Sequence, residues 1–138
     1  GHPLLGVGHP PLQAVVHYPL IAREPGSEVR YVLDHYLRDR RLAPRIAMEV
    51  ASSEAIKSSV MADMGIALLS LHAVATELRH GLLKLVDFEG TPIMRTWNIV
   101  HEASKVLSPA AEAFRYYLIE HAEQWLQQRD GALLKAET

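Results

Sequence analysis

The chain has 138 residues, a formal net charge of −2, 49% hydrophobic and 22% charged residues, which suits one globular domain with a core that needs no metal or disulfide staple. It has no cysteine, so disulfide frameworks, thiolate metal sites and cysteine nucleophiles are excluded, in keeping with a reducing cytoplasm. There is no basic block to grip nucleic acid, no apolar run near the roughly 20 residues that span a bilayer and no visible secretory leader, and a start at Gly1 rather than Met reads as a fragment.

Residues 1–12, "GHPLLGVGHPPL", are rich in Gly, Pro and His and read as irregular. "HYPLIARE" follows as a strand, apolar enough to be buried on both faces. Ser27 is a good N-cap for the next helix, and Val29, Val32, Leu33, Tyr36 and Leu37 give that helix one apolar face before Pro44 ends the unit. "RIAMEVA" is a second strand. "SSEAIKSSVMADM" is a second helix, capped by Ser52 or Ser53, with Glu54 in its first turn. Ile56, Val60 and Met64 step along its inner face, and Gly65 is the expected left-handed residue at its end.

"IALLSLH" is of strand length and "VATELRHG" reads as a short helix ended by Gly81. "LLKLVDFEG" is an outer strand or an extended segment, and "MRTWNIVHEA" reads as a further strand. A long helix closes the chain, with Ser108 as N-cap, Pro109 at its first position and an apolar stripe of Ala111, Phe114, Leu118, Ala122 and Trp125. Alternating strands and helices joined by short connections imply right-handed crossovers. The expected fold class is therefore α/β, a mainly parallel sheet flanked by helices.

Ligands of such sheets sit beyond the carboxyl ends of the strands, where helices begin. Three ends carry polar groups at once: Arg23 to Ser27, Ala51 to Ser53, and Ser70 to His72. The first two also present free amides at helix starts, suited to carboxylates and phosphates. Arg30 and Lys57 lie about one turn into their helices, within reach of an anion. Each residue also has a plainer explanation. Ser27, Ser52 and Ser53 serve as caps, Arg23 and Glu24 as a local ion pair, and Arg30 and Lys57 as solvated surface charges.

Other chemistries find little support. None of the eight histidines has zinc-motif spacing, and there is no Gly-x-Ser-x-Gly elbow, Walker loop or dinucleotide fingerprint. Met61 and Met64 read as core fillers, and Trp97 and Trp125 as packing anchors. Asp87 and Glu89 would share a face of a strand as a carboxylate pair, or simply sit on a solvated edge.

"LIAREPGSEVR", "RIAMEVASSEAIKSSVMADMGIALLSLHAV", "LLKLVDFEGTPIMRTWNIVHEASKVLSPAAEAFRYYL" and the early "HPL" resemble the C-terminal part of LysR-type transcriptional regulators, over about residues 2–126. "ASSEAIK", "MGIALLSLH" and the segment from Glu89 to His101 look most like regulators of carbon dioxide fixation (Calvin-cycle) operons. The resemblance implies one subdomain of a type II periplasmic-binding-protein-like effector domain. Residues 1–106 would be the second regulatory subdomain with its returning crossover strand near Trp97 to His101. Residues 107–138 would be a C-terminal helix that packs on a first subdomain absent here, so its stripe must be buried by folding back or by another chain.

By the same resemblance the cleft wall would include Arg23, Glu24, Gly26 and Ser27, then Ser52, Ser53 and Lys57, and then Ser70 and Leu71; Arg30 joins the effector-binding set from its position one turn into its helix. Relatives often read Arg-Glu-Pro-Gly-Ser-Gly-Thr-Arg, whereas Glu28 and Val29 stand here in place of Gly-Thr. The implied protein is a cytoplasmic homo-oligomer, a dimer or tetramer, that senses a small anionic metabolite. It would touch promoter DNA only through a winged helix-turn-helix outside this chain. No enzymatic activity, cofactor, metal or membrane contact is expected. The alternative is a solute-binding protein of a transport system with the same fold. On this reading Ser53→Ala or Lys57→Glu would weaken effector binding and leave the fold intact.

Overall fold

A central strand receives neighbours on both of its edges. The computed structural model describes residues 2–135, with side chains to residue 128. Strand β1 (Leu20–Arg23) pairs in parallel with β2 (Ile46–Val50), Ile21 opposite Met48 and Arg23 opposite Val50, with one irregularity between Leu20 and Ile21. On its other edge β1 meets a single parallel bridge from Leu20 to Ile66. Ile66 N–H donates to the Pro19 carbonyl at 2.9 Å, and Ile21 N–H donates to the Ile66 carbonyl at 2.8 Å. Gly65 permits that approach, because a Cβ there would collide with the Pro19 carbonyl oxygen. Parallel strands need crossovers, and helices supply them.

Helix α1 (Leu12–Val15) precedes β1, α2 (Glu28–Asp39) joins β1 to β2, and α3 (Ser53–Met61) joins β2 to the bridge. Helix α4 (Leu71–Arg79) follows. The expected strand at residues 66–72 is therefore reduced to one bridge. Leu71, Val74, Ala75 and Leu78 recur at helical spacing, and burial of Val74 and Ala75 draws the chain into α4 at Leu71. The left-handed residue after α3 is Asp63, with φ of 58°, and Gly65 serves the close approach instead. Met61 and Met64 are exposed rather than core fillers.

The N-terminal stretch is more ordered than its proline content suggests. Pro3–Gly6 form a 3-10 turn with Pro3 at its first position, where a missing N–H costs nothing. His2 Nδ1 accepts from Leu4 N–H at 3.3 Å. Leu4, Leu12 and Val15 are buried with Leu20, Ala22, Leu33 and Leu37 in one core cluster. Val86 and Phe88 pack on that cluster from a segment that forms no strand, and the Tyr36 hydroxyl donates to the Glu89 carbonyl at 2.5 Å. Asp87 lies in this irregular segment, accepting from the Thr91 hydroxyl at 3.3 Å. It therefore forms no strand-borne carboxylate pair with Glu89. Ile56 on α3 is 0% exposed.

The chain divides into two compact units, Gly1–Pro92 and Ile93–Thr138. In the second, residues 93–108 carry no helix or strand, and the strand expected at 94–103 is absent among the described residues. A strand exists only where a ladder partner is offered, and this segment has none there. Trp97 is 76% exposed rather than a packing anchor. Helix α5 (Pro109–Lys135) starts as its cap predicts, with the Ser108 hydroxyl accepting from Ala111 N–H at 3.2 Å. Its expected stripe is only partly covered. Ala111, Leu118 and Ala122 are half-buried, while Phe114 is 61% and Trp125 55% exposed.

Truncating Ile56 should leave a cavity against β1. Ile56→Ala is expected to lower unfolding stability by about 2–5 kcal/mol with an unchanged denaturant slope, read by circular dichroism in urea.

Candidate functional site

The site is built where β1 and β2 end. Glu24, Pro25, Gly26 and Ser27 form a tight turn closed by Ser27 N–H donating to the Glu24 carbonyl at 3.2 Å. Gly26 takes φ of 94°, the position at which such a turn requires a glycine, and open space lies where its Cβ would be. The Ser27 hydroxyl then accepts from Arg30 N–H at 3.1 Å and caps α2. At the end of β2 the Ser52 hydroxyl accepts from Ala55 N–H at 3.4 Å and caps α3, leaving Ser53 as the first helical residue. The cap thus falls on Ser52, which frees the Ser53 hydroxyl for other work.

Arg23 joins the two loops. Its Nη1 donates to Ser53 Oγ at 3.3 Å, while Nε and Nη2 grip both oxygens of Glu24 at 2.8 and 3.0 Å. That fork-to-fork bond holds the Glu24 carboxyl below its ordinary range and raises the Arg23 guanidinium in turn. Arg30 reinforces the arrangement from α2. Its Nη1 donates to the Arg23 carbonyl at 3.0 Å and to Glu49 Oε1 at 2.5 Å, and its Nε meets both oxygens of Asp34 at 2.9 and 3.0 Å. Bonding to Glu49 first, and to Asp34, raises the Arg30 guanidinium.

Lys57 points elsewhere. Only 6% exposed, its ammonium lies 2.8 Å from Glu54 Oε1 and 2.8 Å from Glu77 Oε1, and it donates to the Ala73 carbonyl at 3.2 Å. It therefore clamps α3 to α4. Bonds to Glu54 and then Glu77 raise Lys57, and the bond from Lys57 lowers Glu77. The second oxygen of Glu77 is buried without a partner among the described residues. A glutamate in place of Lys57 would set three carboxylates together, so the expectation that Lys57→Glu leaves the fold intact is corrected.

The sequence-derived residues thus fall into three groups. Arg23, Glu24, Gly26, Ser27, Ser52 and Ser53 are brought together at the ends of β1 and β2. Arg30 and Lys57 stand behind them, each committed to internal carboxylates. Ser70 and Leu71 lie at the start of α4 rather than at a strand end, Ser70 exposed and making no side-chain cap bond. The carboxylates Asp34, Glu49, Glu54 and Glu77 were not anticipated as partners. Spacing of three or four residues on one helix could have revealed Asp34 and Glu54. Glu49 and Glu77 arrive from other elements and left no local signal. Among the described residues no group of three His, Asp or Glu side chains could hold a metal ion, and no helix is long and apolar enough to cross a membrane.

Glu77, with its lowered carboxyl, contributes stability above the ordinary carboxylate range and loses it as pH falls through the depressed folded value. Lys57, with its raised ammonium, contributes below the ordinary lysine range and loses that contribution as pH rises through the raised value. The stability gap between the parent protein and Glu77→Gln should therefore be widest near neutrality and should close in acid. Urea titrations across a pH series measure it, and a gap that persisted in acid would exclude the ion pair as its source.

Residues 1–123 match the family model described as the LysR substrate binding domain. The chain is 44% identical over 133 residues to the HTH-type transcriptional regulator CfxR of Cupriavidus necator, covering 96% of this chain and 42% of that protein. It is 39% identical over 122 residues to the HTH-type transcriptional activator CmpR of Synechocystis, covering 88% of this chain and 40% of that protein. The chain thus spans about two fifths of the length of these relatives. Among solved structures, the regulatory domain of Synechocystis CcmR in complex with 2-PG superposes with a TM-score of 0.80 at 33% identity, covering 86% of this chain and 57% of that one. The effector binding domain of QuiR in complex with shikimate shares the fold, with a TM-score of 0.70 at 20% identity, covering 90% of this chain and 58% of that one.

Proposed function

This chain belongs to the family of LysR substrate-binding domains, and from that premise we propose that it is part of the effector-sensing region of a DNA-binding transcriptional regulator. The single observation that carries the site is the bond from Arg23 Nη1 to Ser53 Oγ at 3.3 Å, which holds two strand-to-helix loops at one mouth. Those loops bring hydroxyls, a guanidinium and the first turns of α2 and α3 together, a setting that favours a small anionic metabolite. The relative CcmR, solved with 2-PG, supports that class of ligand.

The metabolite acts by binding one closure state of the domain more tightly than another, and the coupling is no larger than that difference in affinity. The change is passed to the geometry of a dimer or tetramer, and to promoter DNA held by a helix-turn-helix outside this chain. Relatives named as transcriptional regulators favour this reading over a transport solute-binding protein. A RuBisCO operon regulator among them points to carbon fixation genes as the target. The reading places the protein in the cytoplasm and asks no bond chemistry of it.

Calorimetry with 2-PG, phosphorylated sugars, nucleotides and small carboxylates on the full-length regulator tests the assignment. Ser53→Ala should weaken the bound anion by about three- to tenfold, what one hydrogen bond at a partly open site is worth, without moving the melting temperature by more than a degree or two. Unchanged affinity would remove the β1–α3 mouth from the site.

A further inference from the structure

The cations near the mouth are all occupied by the chain's own carboxylates. Lys57 carries Glu54 and Glu77, Arg30 carries Asp34 and Glu49, and Arg23 carries Glu24. A site neutralised in this way offers an incoming anion no open positive charge. It must displace a resident, and the residents are not equally held. Lys57 is buried and has its donors divided between two helices. Arg30 is fixed by two carboxylates and by a backbone carbonyl. Arg23 has one carboxylate on it among the described residues, from its own chain neighbour, on a side chain that is 38% exposed.

Resting on the effector reading above, we infer that Glu24 is a resident competitor that sets which anions the mouth accepts. Its two oxygens fill the Nε and Nη2 positions of Arg23, the same pair of donors that a bidentate carboxylate or phosphate ligand would take. The Pro25–Gly26 turn fixes the Glu24 backbone next to Arg23, so the carboxylate stays within reach of the fork. A monocarboxylate offers the guanidinium nothing that Glu24 does not already supply. A dianionic phosphoryl group offers more charge and a further acceptor for the Ser53 hydroxyl, which already points at Arg23 Nη1. Glu24 thereby acts as a threshold that passes phosphoryl anions and rejects simple carboxylates.

Titration calorimetry on the full-length regulator, with 2-PG and with inorganic phosphate as probes and acetate as the monoanion, tests the inference. Glu24→Gln removes the charge and keeps the shape. It should tighten both phosphoryl probes by about three- to fivefold, the range of an exposed ion pair, and bring acetate closer to them. The double variant Arg23→Ala with Glu24→Gln should lose that gain. Glu24→Ala provides the same reading should the glutamine variant rearrange the turn. Unchanged or weaker binding in Glu24→Gln and Glu24→Ala, or a gain that survives removal of Arg23, overturns the inference. The effector reading survives those results so long as the parent protein binds a probe and Ser53→Ala weakens it. Failure of the parent protein to bind either phosphoryl probe overturns the inference, and the effector reading falls with it only if the phosphorylated sugars, nucleotides and small carboxylates also fail to bind.

Discussion

Parallel pairing of β1 with β2 is the constraint from which the rest follows. Two strands that run the same way cannot be joined by a tight turn, so α2 must carry the chain back across the sheet. The strands then end at the same edge, and the helices that follow them start there. Ser27 and Ser52 cap those starts because orphan amides must be satisfied. The polar mouth is thus a by-product of handedness and hydrogen-bond bookkeeping. Arg23, the last residue of β1, turns this gathering of loops into one connected surface by reaching Ser53 across the strand pair.

Much of this was legible in the residues because it depends on local rules. An apolar four-residue strand, a Pro-Gly turn, a serine cap and a helical stripe over Leu33 and Leu37 each announce themselves within a few positions. The burial of Leu33 and Leu37 follows that stripe. What escaped the sequence depends on partners that arrive from afar. Residues 66–72 have strand-like composition, yet only Ile66 makes a bridge, and helical spacing from Leu71 onward takes the last two of them into α4. Residues 94–103 alternate as a strand should, yet a strand needs an edge to pair with. The commitments of Arg30 and Lys57 were equally hidden, since Glu49 and Glu77 come from elements that no spacing rule connects to them.

The charge arrangement also divides tightly held ion pairs from a more open one. A buried lysine between two carboxylates, as at Lys57, costs much desolvation, and its value lies in fixing how α3 meets α4. Arg30 does comparable work between α2 and β2, with an added bond to the backbone at the end of β1. Both are framework. Farther out, Glu24, Ser27 and Ser53 are only half-buried.

The placement of the tryptophans has an optical consequence. The sequence holds two, Trp97 and Trp125. Both belong to the unit from Ile93 to Thr138, at 76% and 55% exposure, so indole emission of this chain originates in that unit alone. Of the tyrosines, Tyr18 and Tyr36 pack on the core cluster of the first unit. Indole signals therefore follow the second unit alone, whereas tyrosine signals mix Tyr18, Tyr31 and Tyr36 of the first unit with Tyr116 and Tyr117 of the second.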